Sequence, residues 1–271
     1  MVTVQAMEAL GNEFILVDAI SQKIDTEEEL KLLKTCAKEF SFDQLLFLEP
    51  PNQKSAHLKL KIYNVDGSLA ENCVNGIRAL ALYAFDEGLV FSDNFILQIE
   101  DNLAHITQLQ KNEFAVKMNS FKFTRSSCAI DDNQELQFNF EGKDIKFYPV
   151  SVGNPHAVIF QSNLSDQIPK MGLTLQESNI YKNGVNVGFV EVLNDKEINL
   201  RVVERGVGET LACGSGACAA VLSGVKNNLL QSYVLVNFKK GKLKVEVNLD
   251  EEWFNLIGEA KYVEKGIKIS S

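Results

Sequence analysis

The chain has 271 residues, 45% of them hydrophobic and 23% charged, and carries a formal net charge of −9. That length suits one large domain or two ordinary ones with a substantial buried core, and the acidic balance argues against a nucleic-acid partner, which wants a basic footprint. No apolar run approaches the roughly 18–20 residues of a membrane span, and Met1-Val2-Thr3-Val4-Gln5-Ala6 lacks the basic and then apolar start of a signal peptide.

Taken in order, short apolar or alternating runs at 14–17, 44–48, 58–63, 95–99 and 114–118 read as strands. Between them, 26–37 reads as a helix with Thr26 as its cap, and 75–86 as a second helix ending before Gly88. A boundary is expected near 118–122. The second half answers with strand-like runs at 145–152, 156–160, 186–192, 197–203, 232–238 and 243–247, and with a helix over 214–230. The reading is α+β: two pseudo-symmetric domains, each a sheet-rich unit around a central helix. They are expected to span 1–118 and 119–259, with the active site in the cleft between them, since ligand clefts favour domain interfaces.

The two halves echo each other in detail. Cys73 opens Cys73-Val74-Asn75-Gly76-Ile77-Arg78-Ala79, and Cys213 opens Cys213-Gly214-Ser215-Gly216-Ala217-Cys218-Ala219. Nine residues before each cysteine stands a polar residue ending a strand-like run, Asn64 in one case and Glu204 in the other. Gly11-Asn12 is answered by Gly153-Asn154, and the run from Gln44 to Glu49 by the run from Asn186 to Glu191. Five matched points in one order imply an internal duplication with halves of about 130 residues.

The chain's five cysteines (Cys36, Cys73, Cys128, Cys213 and Cys218) form no dense framework and fit free thiols in a reducing cytosol. Without a Cys-x-x-Cys pair, and with three histidines, no metal site is expected. Cys36, Cys128 and Cys218 read as structural, and His57 and His105 as exposed. Cys73 and Cys213 each fall where a loop enters a helix, at its positive end, where a thiol ionises more easily. Two such thiols suit proton transfer at a stereocentre, one removing a hydrogen from one face of a carbon and the other returning one to the opposite face. The carbanion is the difficulty, and helix N-terminal N–H groups can meet the adjacent carboxylate as its charge grows. No phosphate loop suggests pyridoxal phosphate, so no cofactor is expected.

At this point the residues resemble a known family. Leu10-Gly11-Asn12-Glu13-Phe14, Asn64-Val65-Asp66-Gly67-Ser68, Gly153-Asn154-Pro155-His156 and, above all, the long motif from Glu204 through Cys213 to Gly216 are similar to diaminopimelate epimerase, in the right order over nearly the whole chain. The resemblance implies interconversion of LL- and meso-2,6-diaminopimelate without cofactor, in the cytoplasm, on the route to lysine and peptidoglycan. It also implies two domains closing over the substrate, a C-terminal strand (260–271) returning to the first domain, and a homodimer. Cys73 and Cys213 match the acid/base pair, and the backbones of Val74, Asn75, Gly214 and Ser215 match the carboxylate cradle. Asn12, Gln44, Asn64, Asn154, Asn186, Glu204 and Arg205 match substrate-contacting positions, and His156 with Glu204 the polar neighbours of the reacting centre. Val74 departs from the pattern, which has glycine there; a β-branched residue would resist a positive φ. Two alternatives stay open: a racemase of another amino acid on the same fold, and a thiol-redox or non-catalytic relative.

Overall fold

The computed structural model describes residues 1–70 and 73–269. The chain forms two compact units, Met1–Met118 together with the chain from Ile257 onward, and Asn119–Leu256. In the first half the elements are β1 (Val2–Ala9), β2 (Asn12–Asp18), α1 (Ala19–Gln22), α2 (Thr26–Glu39), β3 (Gln44–Glu49), β4 (Leu58–Asn64), α3 (Val74–Asp86), β5 (Asn94–Ile99), β6 (Asn102–Gln110) and β7 (Glu113–Met118). Then come β8 (Gln137–Phe140), β9 (Lys143–Lys146), β10 (Tyr148–Ser151), β11 (Pro155–Gln161), α4 (Ile168–Glu177), β12 (Asn186–Asn194), β13 (Glu197–Glu204) and β14 (Gly208–Thr210). The chain continues through α5 (Gly214–Lys226), β15 (Tyr233–Phe238), β16 (Gly241–Asn248), β17 (Trp253–Glu259) and β18 (Lys261–Ile269).

The duplication is visible in the strand pairing. In the first unit β1 to β7 lie side by side in chain order, with β18 added antiparallel outside β1. In the second half the order β10-β11-β12-β13-β15-β16-β17 repeats this arrangement, with β14 as a short extra partner of β13. The directions repeat too. β2 and β3 are parallel, β3 and β4 antiparallel, β4 and β5 parallel. So are β11 with β12, β12 against β13, and β13 with β15, in the same sequence. Parallel neighbours need a crossover, usually a helix. Here α2 and α4 occupy the first crossover of each half, and α3 and α5 the second.

Helices α3 and α5 are buried along most of their length, which makes them core elements. Every residue of α3 from Val74 to Ala84 is buried. That helix packs on β1, β2 and β3 and also on β7, so the sheet curls about it. Around α5 the same role falls to β10, β11, β12, β13 and β16. On the outer face of the first sheet, Leu32, Leu33 and Cys36 of α2 pack with Val17, Phe47 and Tyr63. Met171 and Leu175 of α4 do the same with Ile159, Phe189 and Val203.

Several local expectations are corrected. The cap of α2 is Asp25, not Thr26; its carboxylate accepts from the N–H groups of Glu27 and Glu28, and Glu28 returns the bond in a capping box. The run 145–152 is two strands, because Phe147 turns inward, fully buried, between β9 and β10. Helix α5 stops at Lys226, where Asn227 caps it and the N–H of Leu229 turns back to the carbonyl of Gly224. Helix α4 is absent from the sequence reading, although Ile168, Met171 and Leu175 carry its buried face. Among the described residues no helix is long and apolar enough to cross a membrane.

Candidate functional site

Both central helices begin on a cysteine. Cys73 is the N-cap of α3, and its Sγ accepts the N–H of Gly76 at 3.4 Å. Cys213 is the N-cap of α5, and its Sγ accepts the N–H of Gly216, also at 3.4 Å. Each sulfur thus does what a serine oxygen does at an ordinary cap, satisfying one of the four N–H groups that lack an intrahelical partner. The glycines make this possible. A Cβ on Gly76 would sit 3.1 Å from the Leu46 side chain, and one on Gly216 would sit 2.9 Å from Val202, with each cysteine sulfur at 3.5 or 3.3 Å. Ahead of these glycines, the backbones of Val74 and Asn75, and of Gly214 and Ser215, form the open helix ends. Such ends attract a carboxylate. Val74 occupies the first helical position, is 2% exposed and has no positive φ, so the β-branched residue meets no backbone conflict there.

In the first unit, Asn12, Gln44, Asn64 and Asn75 fall into two hydrogen-bonded networks, and Asn75 lies in the first turn of the helix that Cys73 caps. Gln44 and Asn64 face each other across β3 and β4, and the Gln44 amide donates to Asn64 Oδ1 at 3.1 Å. Asn64 donates in turn to Ser68 Oγ at 3.0 Å. Asn75 Nδ2 donates to Asn12 Oδ1 at 2.6 Å, and Asn12 Nδ2 donates to Asp43 Oδ2 at 3.2 Å. Ser68 closes the motif that Asn64 opens, whereas Asp43 is an addition. Asp43 directly precedes Gln44, but only the parallel pairing of β2 with β3 brings it to Asn12.

In the second unit, His156 and Asn186 are register partners on β11 and β12. Asn186 Oδ1 accepts the Arg205 backbone N–H at 2.9 Å, and the guanidinium donates to the Asn183 carbonyl at 2.7 Å. Gly184, at φ +73°, lets the Arg205 stem pass where a Cβ would stand 2.5 Å from its Cδ. Thr210 donates to Glu204 Oε1 at 2.5 Å, fixing that carboxylate at the end of β13. Thr210 belongs to the long motif that Glu204 opens, whereas Asn183 is a further addition with no motif to mark it. Ser215 Oγ lies 3.4 Å from Cys213 Sγ.

The electrostatics reverse one expectation. The helix end was expected to ease ionisation, yet burial pushes the Cys213 thiol well above its usual range, and the Glu204 charge adds to this. Hydrogen bonds from Ser215 and the Gly216 N–H favour the thiolate but are outweighed. Cys213 is therefore expected to alkylate sluggishly with iodoacetamide at neutral pH. Removing the repulsion with Glu204→Gln should lower the pH of half-maximal labelling. Peptide mass spectrometry across pH measures this; a midpoint that stays or rises removes Glu204 from the account.

His156 is 1% exposed, and its Nε2 pairs with Asn154 Oδ1 at 3.1 Å. An amide oxygen only accepts, so Nε2 carries the hydrogen. Burial first, and the Arg205 charge second, lower its pKa from 6.5 to about 3. The folded protein thus keeps His156 neutral where the unfolded chain would protonate it. The linked stability is complete above the unfolded pKa and is lost as pH falls towards the folded one, at roughly 1.4 kcal/mol per pH unit. Urea midpoints should show about 2 kcal/mol less stability from this group at pH 5 than at pH 7, and His156→Gln should flatten that part of the dependence. Equal pH slopes in the two proteins would contradict it.

His57 and His105 are exposed on the first unit, while Cys36, Cys128 and Cys218 are buried. Among the described residues no group of three or more His, Cys, Asp or Glu side chains could hold a metal ion.

Comparison with known proteins identifies the family. The family model described as diaminopimelate epimerase matches residues 4–124 and 148–263. A diaminopimelate epimerase of Teredinibacter turnerae is 35% identical over 266 residues, covering 96% of each chain. One of Acinetobacter baumannii is 37% identical over 249 residues, covering 89% of this chain and 88% of that one. Among solved structures, a hydroxyproline epimerase of Agrobacterium vitis superposes with a TM-score of 0.71 at 12% identity, covering 99% of this chain and 90% of that one. At that identity the likeness speaks for the fold alone. With two cysteine-capped helices on duplicated halves, and a match running through both of them, this chain belongs to the diaminopimelate epimerase family, a family of isomerases.

Proposed function

We propose that the protein interconverts LL- and meso-2,6-diaminopimelate without a cofactor, with Cys73 and Cys213 as the two acid/base groups. The observation that carries the reading is the paired N-cap geometry, a sulfur 3.4 Å from the third helical N–H in both units. In this mechanism one cysteine, as thiolate, takes the α-hydrogen as a proton. The electron pair of the broken C–H bond delocalises into the adjacent carboxylate, where the helix-end N–H groups receive it. The other cysteine, as thiol, gives its proton to the opposite face, so configuration inverts and the two sulfurs exchange protonation states. One well-placed donor in such a cradle is worth about 3–4 kcal/mol to the transition state. A helix end by its charge alone offers about 0.3–2 kcal/mol, so the directed N–H groups dominate.

The distal amino-acid end of the substrate needs a cation for its carboxylate and acceptors for its ammonium. Arg205 supplies the first; Asn64, Asn154, Asn186 and Glu204 are suited to the second, with Asn12 and Gln44 completing the contacts. We place the enzyme in the cytoplasm, as a homodimer on the route to lysine and peptidoglycan precursors. Incubation with LL-diaminopimelate in D2O tests the reading. Loss of the α-hydrogen NMR signal with appearance of the meso isomer is the expected result, and absence of exchange by the purified, folded protein would overturn it.

A further inference from the structure

Arg78 is completely buried and is the largest such side chain among the described residues. Enclosing a guanidinium costs several kcal/mol unless its donors are well used. One terminal nitrogen donates to Asn75 Oδ1 at 2.8 Å, and Nε reaches the Glu259 carbonyl at 3.5 Å. From Asn75 the chain of bonds continues. Asn75 Nδ2 donates to Asn12 Oδ1 at 2.6 Å, and Asn12 Nδ2 donates to Asp43 Oδ2 at 3.2 Å. Asp43 is itself held by the Glu13 N–H at 2.8 Å.

The two ends of this chain differ in kind. A guanidinium can only donate, and a carboxylate can only accept. The two amides between them therefore have one satisfying orientation. Turning Asn75 over would set its NH2 against the guanidinium and its oxygen against Asn12 Oδ1. The second half has no such device: Ser215 stands at the place of Asn75 and Cys218 at that of Arg78, and Ser215 meets the cysteine sulfur instead.

We propose that Arg78 is a positioning residue, the donor-only anchor that fixes the amide orientation of Asn75 and Asn12 and so sets which donors the Cys73 half-site turns toward substrate. This rests on the epimerase reading above and adds to it a residue that touches no reacting atom. Arg78→Met removes the anchor while keeping bulk. Its kcat for diaminopimelate should fall by about 10–100-fold with KM changed by no more than about 3-fold, the pattern of lost alignment rather than lost binding. Arg78→Lys, still donor-only, should recover part of the loss. Because Arg78 acts through Asn75, the double variant Asn75→Ala/Arg78→Met should be no slower than Asn75→Ala alone.

NMR of the ligand-free protein supplies a second reading that does not depend on turnover. The side-chain amide protons of Asn75 and Asn12 should exchange slowly in wild type and in Arg78→Lys, and fast in Arg78→Met. Additive losses in the double variant, a change in KM alone, or unaltered amide protection in Arg78→Met would each overturn the proposal. Should Arg78→Met not fold, Asn75→Asp carries the same test. It keeps an acceptor for Arg78 but has no donor for Asn12, so a full kcat in that variant overturns the relay. Wild-type protein that exchanges no α-hydrogen refutes the epimerase reading instead, and the amide protection still judges Arg78.

Discussion

Replacing either Cys73 or Cys213 with alanine is expected to lower epimerisation of diaminopimelate by at least about a thousandfold, with the fold retained. A positioned proton-transfer group contributes about 10²–10⁴ in rate, and in a two-base mechanism each thiol serves one face, so neither can stand in for the other. The structural cost is small by comparison. Each substitution deletes one sulfur and one cap bond to a glycine N–H, a loss on the order of 1 kcal/mol. Both helices remain anchored by their buried faces, from Val74 to Ala84 in α3 and from Ala217 to Gly224 in α5. Rates of LL-to-meso conversion, set beside near-ultraviolet circular dichroism and thermal melting, separate the two effects. One alanine variant turning over at near wild-type rate would end the two-base mechanism. A variant that melts far below wild type would move the cysteine from chemistry to structure.

Arg205→Lys is the second large expectation. The arginine is held at both ends, by Asn186 on its backbone N–H and by the Asn183 carbonyl at its guanidinium, while its stem lies over Gly184. A guanidinium so held can spend one donor on Asn183 and still present the rest to a carboxylate. An ammonium on a flexible stem has neither the planar fork nor the fixed direction. Losing the bidentate fork of this exposed arginine should raise KM for diaminopimelate by about tenfold. A substrate analogue lacking the distal carboxylate should be turned over weakly by wild type and almost equally by the variant. An unchanged KM for diaminopimelate would place the distal anchor elsewhere.

The outline of the fold was legible because its signals are local. Alternation at 58–63 and 197–203 marks strands, and a cysteine followed by small residues and a long apolar run marks a buried helix with a polar start. The equal spacing of these features in the two halves revealed the duplication. Cap chemistry was less legible where two candidates adjoin: Asp25 and Thr26 both suit a helix start, and the reciprocal bond to Glu28 decides between them. Val74 reads as an obstacle until its backbone is seen to be helical.

The residues around each cysteine depend on pairing that no local pattern encodes. Gln44 meets Asn64 because β3 and β4 pair antiparallel in one register, and a slip of one residue would turn the side chains to opposite faces. Sequence alone also sees the helix end at Cys213 but neither the burial nor the approach of Glu204 that together raise the thiol's pKa. Arg78 is the sharpest case. An arginine within a helix ordinarily lies on a solvated face. Only the curl of the sheet around α3 leaves that helix no solvated face, enclosing the guanidinium and directing it to Asn75. The sequence thus determined which residues begin the two helices and that they come as a pair. The tertiary structure decided how each is charged and what holds its neighbours in line, because burial and hydrogen-bond direction arise only when distant strands pack.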